Sequence, residues 1–236
     1  MPHRIHGRPV RALVTDIDGT LTDAHRRLDP GAIVALRNVE RRGIPVVLAT
    51  GNVLPIALAI HRSLGLTGPI VAENGGLLYD RSDGRDIVEK LCDRRPAMAG
   101  YRRLRARGVP VRRLFTDRWR ETEVALEADV PLSRIRPVLR GLDLTAEATG
   151  YAVHLMERGA GKLPALQRAL ERRGLSISDC LAAGDGDNDV RMLRAAGGSV
   201  SFANGSRAAR AAADWVAPSG FADGFVEALK RWRVLA

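Results

Sequence analysis

The chain is poor in cysteine, lysine and aromatic residues, and each shortage excludes something. Of its 236 residues only Cys92 and Cys180 are cysteine. They are far apart and lack metal-ligand spacing, which excludes a disulfide scaffold and a cysteine metal site and fits a reducing cytoplasm. No long membrane-spanning run is present. The stretch Gly43–Ile60 carries no charge for 18 positions, but Pro45, Thr50, Gly51, Asn52 and Pro55 interrupt it, so it reads as strand, loop and helix. The start, Met1–Arg11, is basic and has no apolar signal segment. Aromatics make up 4 %. The densest basic stretch, Arg94–Arg120, holds ten arginines against Asp117 alone, with Tyr101, Phe115 and Trp119 as its only aromatics. No nucleic-acid module surrounds them, so nucleic acid and membrane are not expected partners.

The positive charge is unusual in kind. Of 37 cations only Lys90, Lys162 and Lys230 are lysine, and the formal net charge is +10. Such a surplus draws in small anionic substrates or merely solvates the surface. With 45 % hydrophobic and 27 % charged residues, the remaining composition is that of an ordinary globular chain.

The informative stretch is Asp16-Ile17-Asp18-Gly19-Thr20. The apolar run Val10–Thr15 reads as a buried parallel strand, and two carboxylates follow at its end. Ligands of open α/β sheets sit outside the carboxyl ends of the strands. Gly19 permits the backbone to turn both aspartates toward one ligand, and a divalent cation relieves their repulsion. Taken alone, the stretch is also what an acidic turn looks like. An EF-hand is excluded, because its sixth and twelfth positions would be Leu21 and Arg27. A second acidic loop, Gly184-Asp185-Gly186-Asp187-Asn188-Asp189, follows the apolar run Cys180–Ala183 and fails the EF-hand test in the same way, at Val190 and Ala196. Two acidic strand ends on one sheet edge can close around a single cation.

Two further positions complete the constellation. Pro45–Ala49 reads as a strand ending at Thr50-Gly51-Asn52, where a hydroxyl and a helix start suit a phosphate oxygen and a helix N-cap alike. Lys162 sits at a helix start, where the dipole disfavours a cation, in a chain that otherwise uses arginine; a compact point charge is wanted there.

Strand and helix patterns alternate up to residue 82, with a hairpin turning back over Leu77–Tyr79 after Glu73-Asn74-Gly75-Gly76, and resume from Gly161. Between them helices over 96–107 and 132–142 and strands over 111–116, 122–128, 144–149 and 151–156 spell helix–strand–strand twice. The expected fold is therefore α/β, a doubly wound, Rossmann-like parallel sheet over residues 1–82 and 156–236 with a small α+β cap inserted over 83–155.

On these four motifs in order (Asp16–Thr20, Thr50, Lys162 and Gly184–Asp189) the chain resembles the haloacid dehalogenase superfamily of phosphatases over essentially its whole length. The inserted unit resembles the cap of the Cof-type branch. Its small size, Thr50-Gly51-Asn52 and the Glu73–Gly76 loop resemble the archaeal phosphoglycolate phosphatase group, although many relatives of the broader branch carry arginine where Asn52 stands. The resemblance implies that Asp16 is the nucleophile and Asp18 the general acid and base. Mg²⁺ would be held by Asp16, the Asp18 carbonyl, Asp185 and Asp189, and phosphate by Thr50, Gly51 and Lys162. Asn188, grouped with the phosphate-binding residues, would orient Lys162 or an aspartate; the role of Asp187 stays open. The substrate implied is a small anionic phosphate ester, 2-phosphoglycolate first, with sugar phosphate, sucrose phosphate and mannosyl-3-phosphoglycerate as alternatives. A phosphomutase shares the intermediate, and a basic nucleic-acid-associated protein is the remote alternative. A cap arginine is expected to face the substrate carboxylate, its position left open, and the candidates for selecting the leaving group are the basic surface around Arg102–Arg113 and the Glu73–Gly76 loop; a cytoplasmic homodimer fits.

Overall fold

The structure is a computed structural model and describes residues 4–5, 8–82 and 84–235. A short hairpin, β1 (Arg4–Ile5) and β2 (Arg8–Pro9), precedes β3 (Ala12–Thr15). The chain then alternates through α1 (Pro30–Arg41), β4 (Val46–Ala49), α2 (Leu54–Leu64) and β5 (Ile70–Ala72), before β6 (Leu77–Ser82) and β7 (Arg85–Lys90) run back as an antiparallel pair. Next come α3 (Arg94–Ala106), β8 (Val124–Glu127), α4 (Leu132–Leu139), β9 (Leu144–Ala148) and β10 (Ala152–Glu157). Alternation resumes with α5 (Lys162–Glu171), β11 (Cys180–Ala183), α6 (Val190–Ala195), β12 (Gly198–Ser201), α7 (Arg207–Ala212), β13 (Trp215–Val216) and α8 (Phe221–Arg231).

The large sheet has the order β13-β12-β11-β3-β4-β5-β6-β7, parallel from β13 through β5. Its central strands are buried along their whole length because helices cover both faces, so they read as continuous apolar runs. The side chains still alternate between the two layers: Leu13, Val46, Leu48 and Ile70 pack with Leu36 of α1 and Phe225 of α8, while Val14, Val47 and Val71 pack with Leu166 of α5 and Met192 of α6. Helix α1 starts at Asp29, whose carboxylate accepts from the amides of Gly31 (2.6 Å) and Ala32 (3.3 Å), with Pro30 fixing the first turn.

The inserted α+β unit has its own sheet, β8-β10-β9, all antiparallel, and its own core around Leu104, Val124, Leu126, Ile135 and Leu155. Two expectations need correction. The stretch 111–116 forms one bridge, Arg113 to Leu126, and then turns into a 3-10 helix over Phe115–Trp119, so the unit has three strands and not four. The Asp117 carboxylate causes the turn: it accepts from Ala125 N (2.8 Å) and pairs with Arg94 (2.8 Å), which pulls the chain off the sheet edge. The second correction concerns the inner edge near residue 83, where Asp83 itself lies outside the described residues. Strand β7, past that edge, is hydrogen-bonded along β6 as the last strand of the large sheet. It is mostly exposed and guarded by charge, Asp86 with Arg62 (2.6 Å) and Glu89 with Arg168 and Arg172, as edge strands are.

Among the described residues no helix is long and apolar enough to cross a membrane. Leu36, fully buried between α1 and the sheet, tests this core: Leu36→Ala is expected to cost about 2–5 kcal/mol, read from the shift of the urea midpoint at constant slope.

Candidate active site

The strand order does most of the assembly. With β3 between β11 and β4, the residues that follow these three strands emerge side by side at one sheet edge, although the two acidic loops are more than 160 positions apart in sequence. Asp16 follows β3, Thr50 follows β4, and Asp185 and Asp189 follow β11. Lys162, the first residue of α5, reaches in and donates from Nζ to Asp16 Oδ1 and Asp189 Oδ1, both at 2.6 Å. All three are buried, Lys162 at 2 % exposure.

Burial would discharge this lysine, but Asp16 and Asp189 outweigh it and hold its pKa above the ordinary lysine value. The Asp16 carboxyl is pushed well up by burial, with Lys162 opposing and Asp189 and Asp185 adding to the rise. Asp185 is raised to about 7, first by burial and then by Asp189. Three carboxylates against one ammonium leave two negative charges in excess. Oxygens of Asp16, Asp185 and Asp189 all lie within 4.8 Å of one another. A compact, carboxylate-only donor set with surplus charge, buried at Asp16 and Asp189 and half-buried at Asp185, fits a hard divalent cation.

The surrounding loops are built to this spacing. Gly19 has φ +85°, and a Cβ there would sit 2.3 Å from Asp185 Oδ2, so only glycine lets the two acidic loops meet. Thr20 Oγ1 donates to Asp185 Oδ1 (3.1 Å), and Asn204 Nδ2 to the Gly19 carbonyl (2.9 Å). Asp189 Oδ2 accepts from the amides of Asp185 (3.1 Å) and Gly186 (2.9 Å), which folds the second loop around the carboxylate that holds Lys162.

Other expected residues have different surroundings. The Asp18 carboxylate stands apart from the three-carboxylate cluster: Oδ1 accepts from Arg26 (3.2 Å) and Oδ2 from Asn52 Nδ2 (3.3 Å), so Asn52 is a neighbour of Asp18. Thr50 is buried, and its Oγ1 accepts from Asn52 N (3.0 Å) in a local turn. Asn188 does not orient Lys162 or an aspartate; its Nδ2 donates to Asn74 Oδ1 (3.0 Å), because the short loop carries it toward the Glu73–Gly76 segment. Asp187 accepts from Ser206 Oγ (2.5 Å) and braces the loop from outside.

A buried polar chain fastens the inserted unit to this edge. Glu73 accepts from Thr122 N (2.9 Å) and Thr122 Oγ1 (2.6 Å). Asn74 Nδ2 donates to Glu123 Oε2 (3.0 Å), and Glu123 also meets His154 Nδ1 (2.9 Å) and Arg120. Burial would raise the Glu123 carboxyl, but His154 and Arg120 bring it down to about 2. Arg120 Nη1 also donates to the Gly51 carbonyl (2.9 Å). Between the sheet edge and the inserted unit lies a cavity of about 290 Å³, lined by Asp16, Asp18, Thr50, Arg26, Arg120 and Tyr151 among others. Its arginines are therefore Arg26 and Arg120. Arg105, Arg112 and Arg113 line a separate depression with Tyr101, which corrects the expectation for the Arg102–Arg113 region. Arg26, Glu123 and His154 have no sequence signal of their own; only the size of the Arg94–Arg120 basic cluster pointed toward Arg120.

The doubly wound sheet and the acidic edge facing a half-open cavity beneath an inserted unit fit a hydrolase of phosphoric monoesters, and comparison with known proteins agrees. The haloacid dehalogenase-like hydrolase family model matches residues 13–119 and 134–229, and the chain belongs to this family. It is 39 % identical to a phosphoglycolate phosphatase of Methanothermobacter thermautotrophicus over 94 % of this chain and 99 % of that protein. A phosphoglycolate phosphatase of Methanoculleus marisnigri is 34 % identical over 94 % of this chain and 97 % of its own. Among solved structures, the Thermoplasma acidophilum protein 0175 superposes with a TM-score of 0.85 at 27 % identity, covering 96 % of this chain and 99 % of that one.

The raised Asp185 carboxyl gives a pH dependence with a definite sign. Its folded pKa lies above the ordinary 3.8, so the metal-free fold binds an extra proton between pH 3.8 and about 7 and loses stability as pH rises through that window. Urea titrations of chelated protein across the window are expected to show this loss, and Asp185→Asn to show less of it.

Proposed function

We propose that the chain is a Mg²⁺-dependent phosphatase that hydrolyses a small phosphate monoester, 2-phosphoglycolate by preference, through an aspartyl-phosphate on Asp16. The observation that carries this reading is the buried Asp16 carboxylate at the cavity floor, 2.6 Å from a lysine that also binds Asp189. Such a carboxylate, partly neutralised and shielded from water, suits a nucleophile toward phosphorus.

In this reading Mg²⁺ would be held by the side chains of Asp16, Asp185 and Asp189, with the backbone carbonyl of Asp18 as a further ligand. When bound, it offsets the repulsion between the anionic nucleophile and the phosphate oxygens. Asp16 attacks phosphorus as the ester P–O bond breaks, and Asp18 gives its proton to the leaving oxygen. Asp18 then takes a proton from the water that attacks the aspartyl-phosphate, releasing phosphate and restoring the Asp16 carboxylate. Lys162, Thr50 and the Gly51 backbone bind the phosphoryl oxygens where charge spreads in the transition state. Asn188 supports this edge through Asn74. Residues 91–157 act as the cap, with the inner edge after β7 because that strand pairs in the large sheet. The cavity of about 290 Å³ suits a small ester, and the names and near-full-length identity of the archaeal relatives favour phosphoglycolate.

The deciding experiment is steady-state hydrolysis of a panel of phosphate esters, sugar phosphates and mannosyl-3-phosphoglycerate included, with Mg²⁺ and again with EDTA. 2-Phosphoglycolate is expected to lead in kcat/KM, with turnover lost in EDTA. A different leading ester would overturn the substrate, and no hydrolysis of any ester with Mg²⁺ would overturn the chemistry. Asp16→Asn is expected to abolish turnover, and Asp18→Asn to lower kcat by about 10²–10⁴-fold while binding survives.

A further inference from the structure

The cavity's two arginines differ in what they are free to do. Arg120 is 5 % exposed; its Nη1 donates to both Glu123 and the Gly51 carbonyl, while its Nε is buried without a partner, so it is fixed in place by one nitrogen. Its charge is already matched by a carboxylate that stays ionised far below neutral pH. Arg26 is half exposed and lies in the loop between β3 and α1, at φ +63°. Its guanidinium makes two long bonds to one oxygen of Asp18, at 3.2 and 3.4 Å, and its Cζ lies 3.9 Å from the centre of the Tyr151 ring on the β9–β10 turn of the inserted unit. A guanidinium so held has its planar face supported by the ring while its N–H edge looks into the cavity beside Asp18.

From this geometry we infer that Arg26 is the specificity-determining residue for the carboxylate of the substrate's leaving group, exchanging its bond to Asp18 for that carboxylate when substrate enters. The inference rests on the proposed small carboxylate-bearing phosphate ester. In the exchange one carboxylate replaces another, so Arg26 remains paired throughout. Asp18 keeps its bond from Asn52 and is released toward the ester oxygen that it must protonate. Tyr151 supplies the platform that keeps the fork in the cavity, which makes the inserted unit part of the recognition without providing the cation.

The test compares 2-phosphoglycolate with ethyl phosphate, which has the same length and lacks the carboxylate, in wild type, Arg26→Ala and Arg26→Lys. The ratio of the two kcat/KM values is expected to fall on the order of 10- to 100-fold in Arg26→Ala, chiefly through KM for 2-phosphoglycolate, the worth of a hydrogen bond to a charged group. Arg26→Lys should restore part of it, and Tyr151→Ala should lower it while Tyr151→Phe does not. Thermal melting confirms that the variants are folded. An equal loss on both esters in Arg26→Ala, or an unchanged ratio, overturns the inference and leaves the phosphatase reading standing. A wild type that does not favour 2-phosphoglycolate over ethyl phosphate removes the substrate reading and the inference together.

Discussion

A single buried ammonium holds the site together. Lys162 stands between Asp16 and Asp189 with almost no access to water, and neither carboxylate could be crowded against the other without it. Removing one partner from such an arrangement is far more costly than removing both, since the survivor is left charged and unsolvated. The rest of the architecture serves this contact. The parallel order sets β3 against β11 in the register Ala12–Cys180 to Thr15–Ala183, so the first and second acidic loops leave the sheet level with each other. Helix α5 starts there and delivers the lysine against the preference of its own dipole. Gly161 has φ +156°, within the range glycine favours, where the chain enters that helix.

The remaining excess of negative charge belongs to the same design. A site that repels itself in isolation is ready for a cation and an anion together, because each relieves what the other aggravates. The neutralised parts of the cavity behave differently. Glu123, His154 and Arg120 form a charge-matched, hydrogen-bonded cluster on the opposite wall, which makes that wall rigid rather than attractive.

Much of the acidic edge was legible in the sequence. Short apolar runs ending in aspartates and glycines show both the strands and their ends, and the rarity of lysine singles out Lys162. The inserted unit was legible as a unit but not in detail. The strand expected over 111–116 is lost to the side chain of Asp117, a tertiary effect that periodicity does not carry. Strand β7 is polar and exposed, so the apolar pattern that signals a strand is absent, and only pairing with β6 defines it. Arg26 and His154 were invisible for a related reason. The fold alone supplies their partners, Tyr151 of the inserted unit to Arg26 and Glu123 beside the neighbouring strand to His154, and nothing local in the sequence distinguishes them from solvated surface residues.

The inserted unit enters and leaves the large sheet through a narrow passage. The chain goes out just after β7 and returns through β10, and at this neck Asp93 N donates to the carboxylate of Glu157 (2.8 Å), tying the outgoing and returning strands together. The strand order and the acidic edge of the large sheet are therefore complete without the unit. The chain passes between the two parts only at this neck, so a unit of another size or charge inserted there would change which molecules are admitted while the acidic edge beneath stays, provided that it also met Glu73, Asn74 and the Gly51 carbonyl.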